Sequence, residues 1–191
     1  MNLPNLLTLS RIVLVPVFAL VYLLPGDATY LYAGLLFALA AFTDWLDGYL
    51  ARRLEQTTRF GAFLDPVADK LIVVTALVLL IAQHGNVWLT LPGIVIVSRE
   101  IFISALREWM AEMNRRGLVA VSTLGKVKTT LQMVAIAVLL ANPPDLERYW
   151  VIAGYVLLYV AAFMTLWSMV VYLVAAWPTL RVGLVREKSS D

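Results

Sequence analysis

The sequence of 191 residues has no cysteine, only one histidine and few charged residues. Without cysteine, the chain cannot form disulfides, zinc thiolates or a cysteine nucleophile. Charged residues make up 15% of the chain and hydrophobic residues 61%, a balance far more apolar than that of a soluble domain. Ten-residue segments of alternating polarity, which are typical of membrane β-barrels, are also missing. The composition therefore indicates an all-α integral membrane protein.

Six apolar blocks are long enough to cross a bilayer, which takes about 20 residues of helix. We place six transmembrane helices at 6–25, 30–50, 66–83, 88–106, 123–141 and 149–176. No soluble domain, linker or internal repeat interrupts them, so residues 1–191 are expected to form a single membrane domain. Because no basic region precedes the first block, we interpret this block as the first helix and not as a signal peptide.

Basic residues are concentrated on one side of the predicted membrane. That side holds both termini and the connections between helices 2 and 3 and between helices 4 and 5, whereas Arg148 is the sole basic residue opposite. The positive-inside rule therefore predicts that both termini face the cytoplasm. The net charge of +2 needs no nucleic-acid partner, since cytoplasmic basic residues facing anionic lipid account for it. His84 falls in a predicted outer turn, where we expect a solvated loop residue.

Four aspartates, Asp44, Asp47, Asp65 and Asp69, lie within 26 residues and are flanked by apolar segments. One ionised aspartate at the centre of a transmembrane helix costs roughly 2.5–3.5 kcal/mol. Four of them so close together predict a bound cation that holds the carboxylates in place.

The spacing places the carboxylates on two helix faces. Asp65 and Asp69 are four residues apart and share a face at the start of helix 3, where Pro66 fits a first-turn position. Because the connection between helices 2 and 3 is short, we expect these helices to be antiparallel neighbours whose carboxylates converge. On helix 2, positions i, i+3, i+4 and i+7 form one stripe with an arginine along its edge: Asp44, Asp47, Gly48, Ala51 and Arg52.

Convergent carboxylates without histidine or cysteine suit a hard cation such as Mg²⁺ or Mn²⁺. Four carboxylates exceed what one Mg²⁺ usually takes from protein, so two metals bridging a substrate phosphate fit the number better. Gly48 and Ala51 would let a flat or bulky group lie against the helix backbone, and Arg52 can pair with phosphate oxygens. A divalent-cation transporter is the alternative outside enzymes, but no acidic pathway continues across helices 2 and 3.

The run from Asp44 to Asp69 resembles the signature of the CDP-alcohol phosphotransferases at all eight defined positions, D-x2-D-G-x2-A-R-x8-G-x3-D-x3-D. This resemblance implies a six-helix membrane fold, usually dimeric, with a dinuclear metal site open to the cytoplasm. Such enzymes transfer a phosphatidyl or similar group from a CDP-linked donor to an alcohol and release CMP. The resemblance further implies that all four aspartates are metal ligands and that Asp69 is also the general base. The implied contacts to the CDP group are Asp47, Gly48, Ala51, Arg52 and Gly61.

Basic residues on helices 4 and 5 bear on the choice of alcohol. Arg99 lies deep in an apolar run, so we expect it to face a cavity or to pair with Glu100, Glu108 or a motif aspartate. Three more cations, Arg107, Lys126 and Lys128, fall near the cytoplasmic boundary, where snorkelling to the interface would also explain them. Several cations near a site for a diphosphate predict an acceptor that carries its own phosphate, such as glycerol 3-phosphate or inositol phosphate.

A closer resemblance, to the bacterial members of this family that use glycerol 3-phosphate, is carried by residues 5–11, 43–70, 104–112 and 125–133. It implies that CDP-diacylglycerol and glycerol 3-phosphate give phosphatidylglycerol phosphate and CMP, at the bacterial cytoplasmic membrane. Members that use inositol phosphate or form cardiolipin remain the alternative. In the first stretch, three polar residues are expected to border the nucleotide or the acceptor, although helix capping explains the first two about as well: Asn5, Thr8 and Arg11.

Overall fold

The computed structural model of the protein describes residues 3–53, 59–113 and 123–186, and these residues form six α-helices and no β-strand. The helices are α1 (Leu3–Leu23), α2 (Asp27–Arg53), α3 (Arg59–His84), α4 (Val87–Glu112), α5 (Thr123–Leu140) and α6 (Tyr149–Arg186). The predicted all-α fold with six helices is therefore confirmed.

Several helices continue past the apolar blocks from which they were predicted. α3 begins at Arg59, so Pro66 lies inside this helix and not in its first turn, contrary to our prediction. Proline inside a helix leaves one backbone carbonyl of the preceding turn without its usual partner. Residues 59–64 are therefore helical as well, although Arg59 and Gly61 interrupt the apolar pattern there.

The first helix contacts both helices that carry the aspartates. α1 packs against both α2 and α3, while extensive packing between α2 and α3 is not found over the described residues. The described residues therefore do not show the close packing of helices 2 and 3 that we predicted, although a carboxylate from each helix reaches the same arginine of α1. Around them, α5 packs against α2 and α6, and α4 packs against α3 and α6. This arrangement places α1 in the middle of the region where the carboxylates meet.

Two apolar cores hold the helices together. The larger core joins all six helices and includes the fully buried residues Phe18, Phe37, Leu77 and Leu89. The smaller core lies between α4 and α6, where Met110 contacts the cluster that contains Tyr172. Where α2 meets α5, a Cβ atom added to Gly34 would lie 2.7 Å from the Cβ atom of Ala141 and 2.9 Å from its backbone. Glycine is thus required for this close approach of two helices.

A large apolar surface remains exposed on the outside of the helices, with Leu20, Phe163 and Val174 each at least 66% accessible. Three described segments are long and apolar enough to cross a membrane: Asn5–Leu23, Val87–Glu112 and Tyr149–Pro178. A shorter apolar stretch, Val127–Leu140, follows in α5. Such a surface is suited to contact with lipid chains, and these segments mark the chain as a membrane protein.

The turns at one end of the bundle fall between the predicted apolar blocks. Gly26 and Gly85 have positive φ angles of 127° and 57°, which favour glycine. His84 is different from our expectation of a solvated residue, because it ends α3, is half-buried and has its Nδ1 atom 2.9 Å from the Tyr155 hydroxyl. The Asn86 side chain also donates a hydrogen bond of 2.8 Å to that hydroxyl, so this turn is linked to α6 by hydrogen bonds.

Candidate active site

A buried arginine joins the carboxylates of two helices. Arg11 of α1 is 1% exposed, and its Nη1 atom forms ion pairs with Oδ1 of Asp44 on α2 and with Oδ1 of Asp69 on α3. Both carboxylates are nearly half exposed, at 45% and 48%. The predicted convergence of carboxylates from helices 2 and 3 is therefore found, and it is organised by a residue of α1.

The same face of α1 contacts a third aspartate. Thr8, one turn before Arg11, donates a hydrogen bond of 2.7 Å to Oδ1 of Asp65. Asn5, Thr8 and Arg11 are all buried, with exposures of 8%, 1% and 1%. Because α1 begins at Leu3, neither Asn5 nor Thr8 is its N-cap, so helix capping does not account for them. Thr8 and Arg11 instead face the aspartates from one side of α1.

The donor set at this point fits a hard divalent cation. Asp44 and Asp69 direct oxygen atoms at one cationic group, the Arg11 guanidinium, so the fold already concentrates negative charge at that position. Carboxylate oxygens are the ligands that Mg²⁺ and Mn²⁺ prefer. No close group of three or more carboxylate, imidazole or thiol side chains occurs among those that the structure describes. The side chain of Asp47 lies outside the described residues, as do those of Ala51, Arg52 and Lys126.

The two signature glycines have different surroundings. A Cβ atom added to Gly48 would meet no described neighbour within 4 Å, so open space lies beside this turn of α2. Gly61, in the first turn of α3, is buried. An open backbone surface one turn from Asp44 is the kind of place where a flat ligand can approach a helix closely.

A cavity of about 620 Å³ connects the carboxylates to the basic residues of α4 and α5. Arg11, Asp44 and Asp69 contribute to its lining from one group of helices. The other helices contribute polar and aromatic residues to the same lining: Arg99, Glu100, Arg107, Lys128, Gln132 and Tyr172. Two constellations that are far apart in sequence thus share one space.

Arg99 is the most constrained of these cations. It is 6% exposed, and it donates hydrogen bonds of 3.0 Å to Oε1 of Glu100 and to Oγ of Ser168. Glu100 also lies 3.6 Å from Nζ of Lys128, which is 2% exposed. The expectation that Arg99 faces a cavity or pairs with Glu100 is confirmed on both points.

The charges of this cluster do not cancel. Arg99, Arg107 and Lys128 supply three positive charges, and Glu100 supplies one negative charge, which leaves an excess of two. Buried charge without compensation is costly. An anion with two negative charges, such as a phosphate monoester, would balance it.

Tyr172 of α6 completes the cluster and was not found from sequence. Its ring centroid lies 5.9 Å from Cζ of Arg99 and 5.6 Å from Cζ of Arg107, distances at which the ring face attracts a cation. Ser168 is one turn earlier on the same helix. Two polar residues at i and i+4 inside a strongly apolar helix were the available signal, but nothing in the sequence indicated which helix they faced.

Known proteins of one family are similar to this chain over most of its length. The family model described as CDP-alcohol phosphatidyltransferase matches residues 1–185. A protein of Pseudomonas fluorescens is 58% identical over 182 residues, which cover 95% of this chain and 93% of that protein. A protein of Escherichia coli K12 is 56% identical over 175 residues, covering 92% and 94%. Both relatives carry the name CDP-diacylglycerol–glycerol-3-phosphate 3-phosphatidyltransferase.

Proposed function

This chain belongs to the CDP-alcohol phosphatidyltransferase family, and on that premise we propose that it transfers the phosphatidyl group of CDP-diacylglycerol to sn-glycerol 3-phosphate. The products are phosphatidylglycerol phosphate and CMP, and the reaction serves phospholipid synthesis. The names of the relatives from P. fluorescens and E. coli support this choice of substrates. The observation that carries it is the single cavity that Asp44 and Asp69 share with Arg99, Arg107 and Lys128.

The cavity offers partners for both ends of the acceptor, its phosphate and its primary hydroxyl. The phosphate of glycerol 3-phosphate binds Arg99, Arg107 and Lys128, whose excess of two positive charges matches a phosphate dianion. Lys126, whose side chain lies outside the described residues, is proposed as a further cation for this phosphate. With the phosphate held there, the primary hydroxyl of the acceptor extends towards the carboxylates, so binding also orients the nucleophile.

Asp69 is the general base in this proposal. Its side chain is 48% exposed and lines the cavity, so a hydroxyl group in the cavity can reach it. The hydroxyl gives its proton to Asp69 as its oxygen forms a bond to the phosphorus atom that bears the diacylglycerol. The bond from that phosphorus to the bridging oxygen breaks, and CMP leaves with the electron pair.

The signature residues hold the donor. Gly48 offers open backbone surface for the CDP group, with Ala51, Arg52 and Gly61 as further contacts and Arg52 pairing with phosphate. Asp44, Asp47, Asp65 and Asp69 hold two divalent cations, Mg²⁺ or Mn²⁺, which when bound would neutralise charge on the diphosphate oxygens. Arg11 and Thr8 position Asp44, Asp69 and Asp65 from the face of α1.

The protein is further proposed to be a homodimer in the bacterial cytoplasmic membrane, with all six helices crossing the bilayer. The excess of basic residues in the connections on one side supports cytoplasmic termini and a cytoplasmic active site. Trp88, Tyr149 and Trp150 are exposed in the first turns of α4 and α6, and Trp177 is exposed near the other end of α6, as is typical of an interfacial belt.

Purified protein in detergent micelles with CDP-diacylglycerol and one acceptor at a time tests the proposal, with CMP release as the measured signal. We expect release with glycerol 3-phosphate and Mg²⁺ or Mn²⁺, and little release with inositol phosphate or phosphatidylglycerol. Release with inositol phosphate alone would instead assign the protein to another branch of the family. Uptake of divalent cations into proteoliposomes without any release of CMP would contradict a transferase altogether.

A further inference from the structure

One buried polar group in the cavity has no role in the reaction as described. Gln132 of α5 is 2% exposed, and its Oε1 atom has no hydrogen-bond partner among the described residues. Buried amide oxygens in folded proteins nearly always have a partner, and leaving one unpaired is unfavourable. Gln132 lines the cavity, so a ligand in that space can supply the missing donor.

The position of Gln132 relates it to the acceptor. Gln132 is one helical turn beyond Lys128, so both side chains leave the same face of α5, and both are 2% exposed. Lys128 belongs to the cation cluster that faces the same cavity as Asp44 and Asp69. The amide therefore shares the cavity with the groups that hold the two ends of the acceptor.

The chemistry of glycerol 3-phosphate leaves one group for which no partner has been named. Its phosphate meets the cations and its primary hydroxyl reacts, but the secondary hydroxyl on the middle carbon also loses water when the acceptor is bound. An O–H group donates well to an amide oxygen. Of the other neutral hydrogen-bonding side chains of the lining, Thr129 and Thr130 belong to exposed residues, in contrast to Gln132. Tyr172 is buried, but its ring faces the guanidinium groups of Arg99 and Arg107.

We propose that Gln132 is a specificity-determining residue, which accepts a hydrogen bond from the secondary hydroxyl of the acceptor through Oε1. This inference rests on the proposed function, since it assumes glycerol 3-phosphate as the acceptor. The hydrogen bond to Gln132 places a requirement on the acceptor that the cation cluster does not impose. The acceptor must carry a hydroxyl on the carbon beside the one that reacts, in addition to its phosphate.

The test compares glycerol 3-phosphate with 3-hydroxypropyl phosphate, which keeps the phosphate and the reacting hydroxyl and lacks the secondary one. The ratio of kcat/KM for the two acceptors is measured in the unmodified protein, in Gln132→Met and in Gln83→Met. Methionine has a similar length to glutamine but no amide. Gln83 is exposed at the far end of α3, so Gln83→Met makes the same chemical change outside the cavity.

We expect the unmodified protein and Gln83→Met to prefer glycerol 3-phosphate by at least about tenfold, because a site built to bind a hydroxyl rejects an analogue that lacks it. In Gln132→Met the ratio should fall towards one, through loss of activity with glycerol 3-phosphate alone. An unchanged ratio in Gln132→Met would overturn the inference. If the unmodified protein uses neither acceptor, the proposed function itself fails, which is a different result.

A second variant covers the case in which Gln132→Met does not fold. Gln132→Asn keeps an amide, so the polarity of the site is preserved, but it withdraws the oxygen by one methylene. We expect a reduced ratio with a melting temperature close to that of the unmodified protein. A normal ratio in Gln132→Asn combined with a lower melting temperature would assign Gln132 to helix packing and refute the role in specificity.

Discussion

Replacement of Gly48 by alanine separates the stability of the fold from the binding of the donor. An added Cβ atom at this position meets no described neighbour within 4 Å, and alanine is preferred to glycine inside a helix by roughly 0.5–1 kcal/mol. Gly48→Ala should therefore leave the free energy of unfolding unchanged or raise it slightly. A glycine needed for close packing of helices would instead lose stability on this substitution.

Gly48→Ala should also weaken the binding of the donor, CDP-diacylglycerol. If the CDP group lies against the backbone at Gly48, the new methyl group occupies part of its place, and overpacking of this kind costs about 1–3 kcal/mol. Because each 1.4 kcal/mol is tenfold, the KM for CDP-diacylglycerol should rise by about 5-fold to 150-fold. The KM for glycerol 3-phosphate should change little, since the acceptor binds to other helices.

The assay measures CMP release as each substrate is varied in turn, alongside thermal unfolding in the same detergent. Gly34→Ala is the matched control, since its Cβ atom would lie 2.7 Å from that of Ala141. That variant should lose about 1–3 kcal/mol of stability while its KM values stay normal. A Gly48→Ala enzyme with a normal KM for CDP-diacylglycerol would refute the reasoning, because the space beside Gly48 would then not receive the donor.

Three further substitutions test the proposed roles. Asp69→Asn should lower kcat by at least about 100-fold, the usual range for a general base, with CDP-diacylglycerol binding retained; substantial turnover would exclude Asp69 as the base. Arg107→Ala should raise the KM for glycerol 3-phosphate more than that for CDP-diacylglycerol, and an equal rise in both would point to a structural role. Tyr172→Leu should also weaken acceptor binding by removing the ring that faces two guanidinium groups, whereas Tyr172→Phe should bind the acceptor almost normally; equal behaviour of the two variants would exclude the ring contact.

Local patterns were sufficient to predict the helices and their turns. Each apolar block is long enough to indicate a helix by itself. The structure places Gly26 and Gly85, both with a positive φ, in the breaks between blocks. The ends of the helices were less predictable. α3 begins at Arg59 and α6 continues to Arg186 because the residues that flank the apolar blocks are also helical. Charged residues and glycine interrupt the hydrophobic pattern in both flanking segments.

The parts of the candidate site that follow from local spacing were predicted, and the parts that depend on contacts between helices were not. The spacing of the aspartates indicated that they share a site, because residues four apart on a helix face the same way. The role of Arg11 depends on the packing of α1 against both α2 and α3, and which helices meet in space cannot be read from a single sequence. Glu100 was one of several possible partners of Arg99, and Tyr172 was not considered, since such pairings require knowledge of which helices meet.

The ion pairs of Arg11 make three helices depend on one another as the protein assembles. Alone in a bilayer, α1 would carry an uncompensated guanidinium, and α2 and α3 would each carry uncompensated carboxylates. Each of these states is unfavourable in lipid. Arg11 and Asp69 are 58 residues apart in the chain, so this compensation is complete only after the third helix has been made. The first helix is therefore expected to keep its charge near water until its partners arrive. Arg11 then becomes buried, while the two carboxylates that join it stay nearly half exposed.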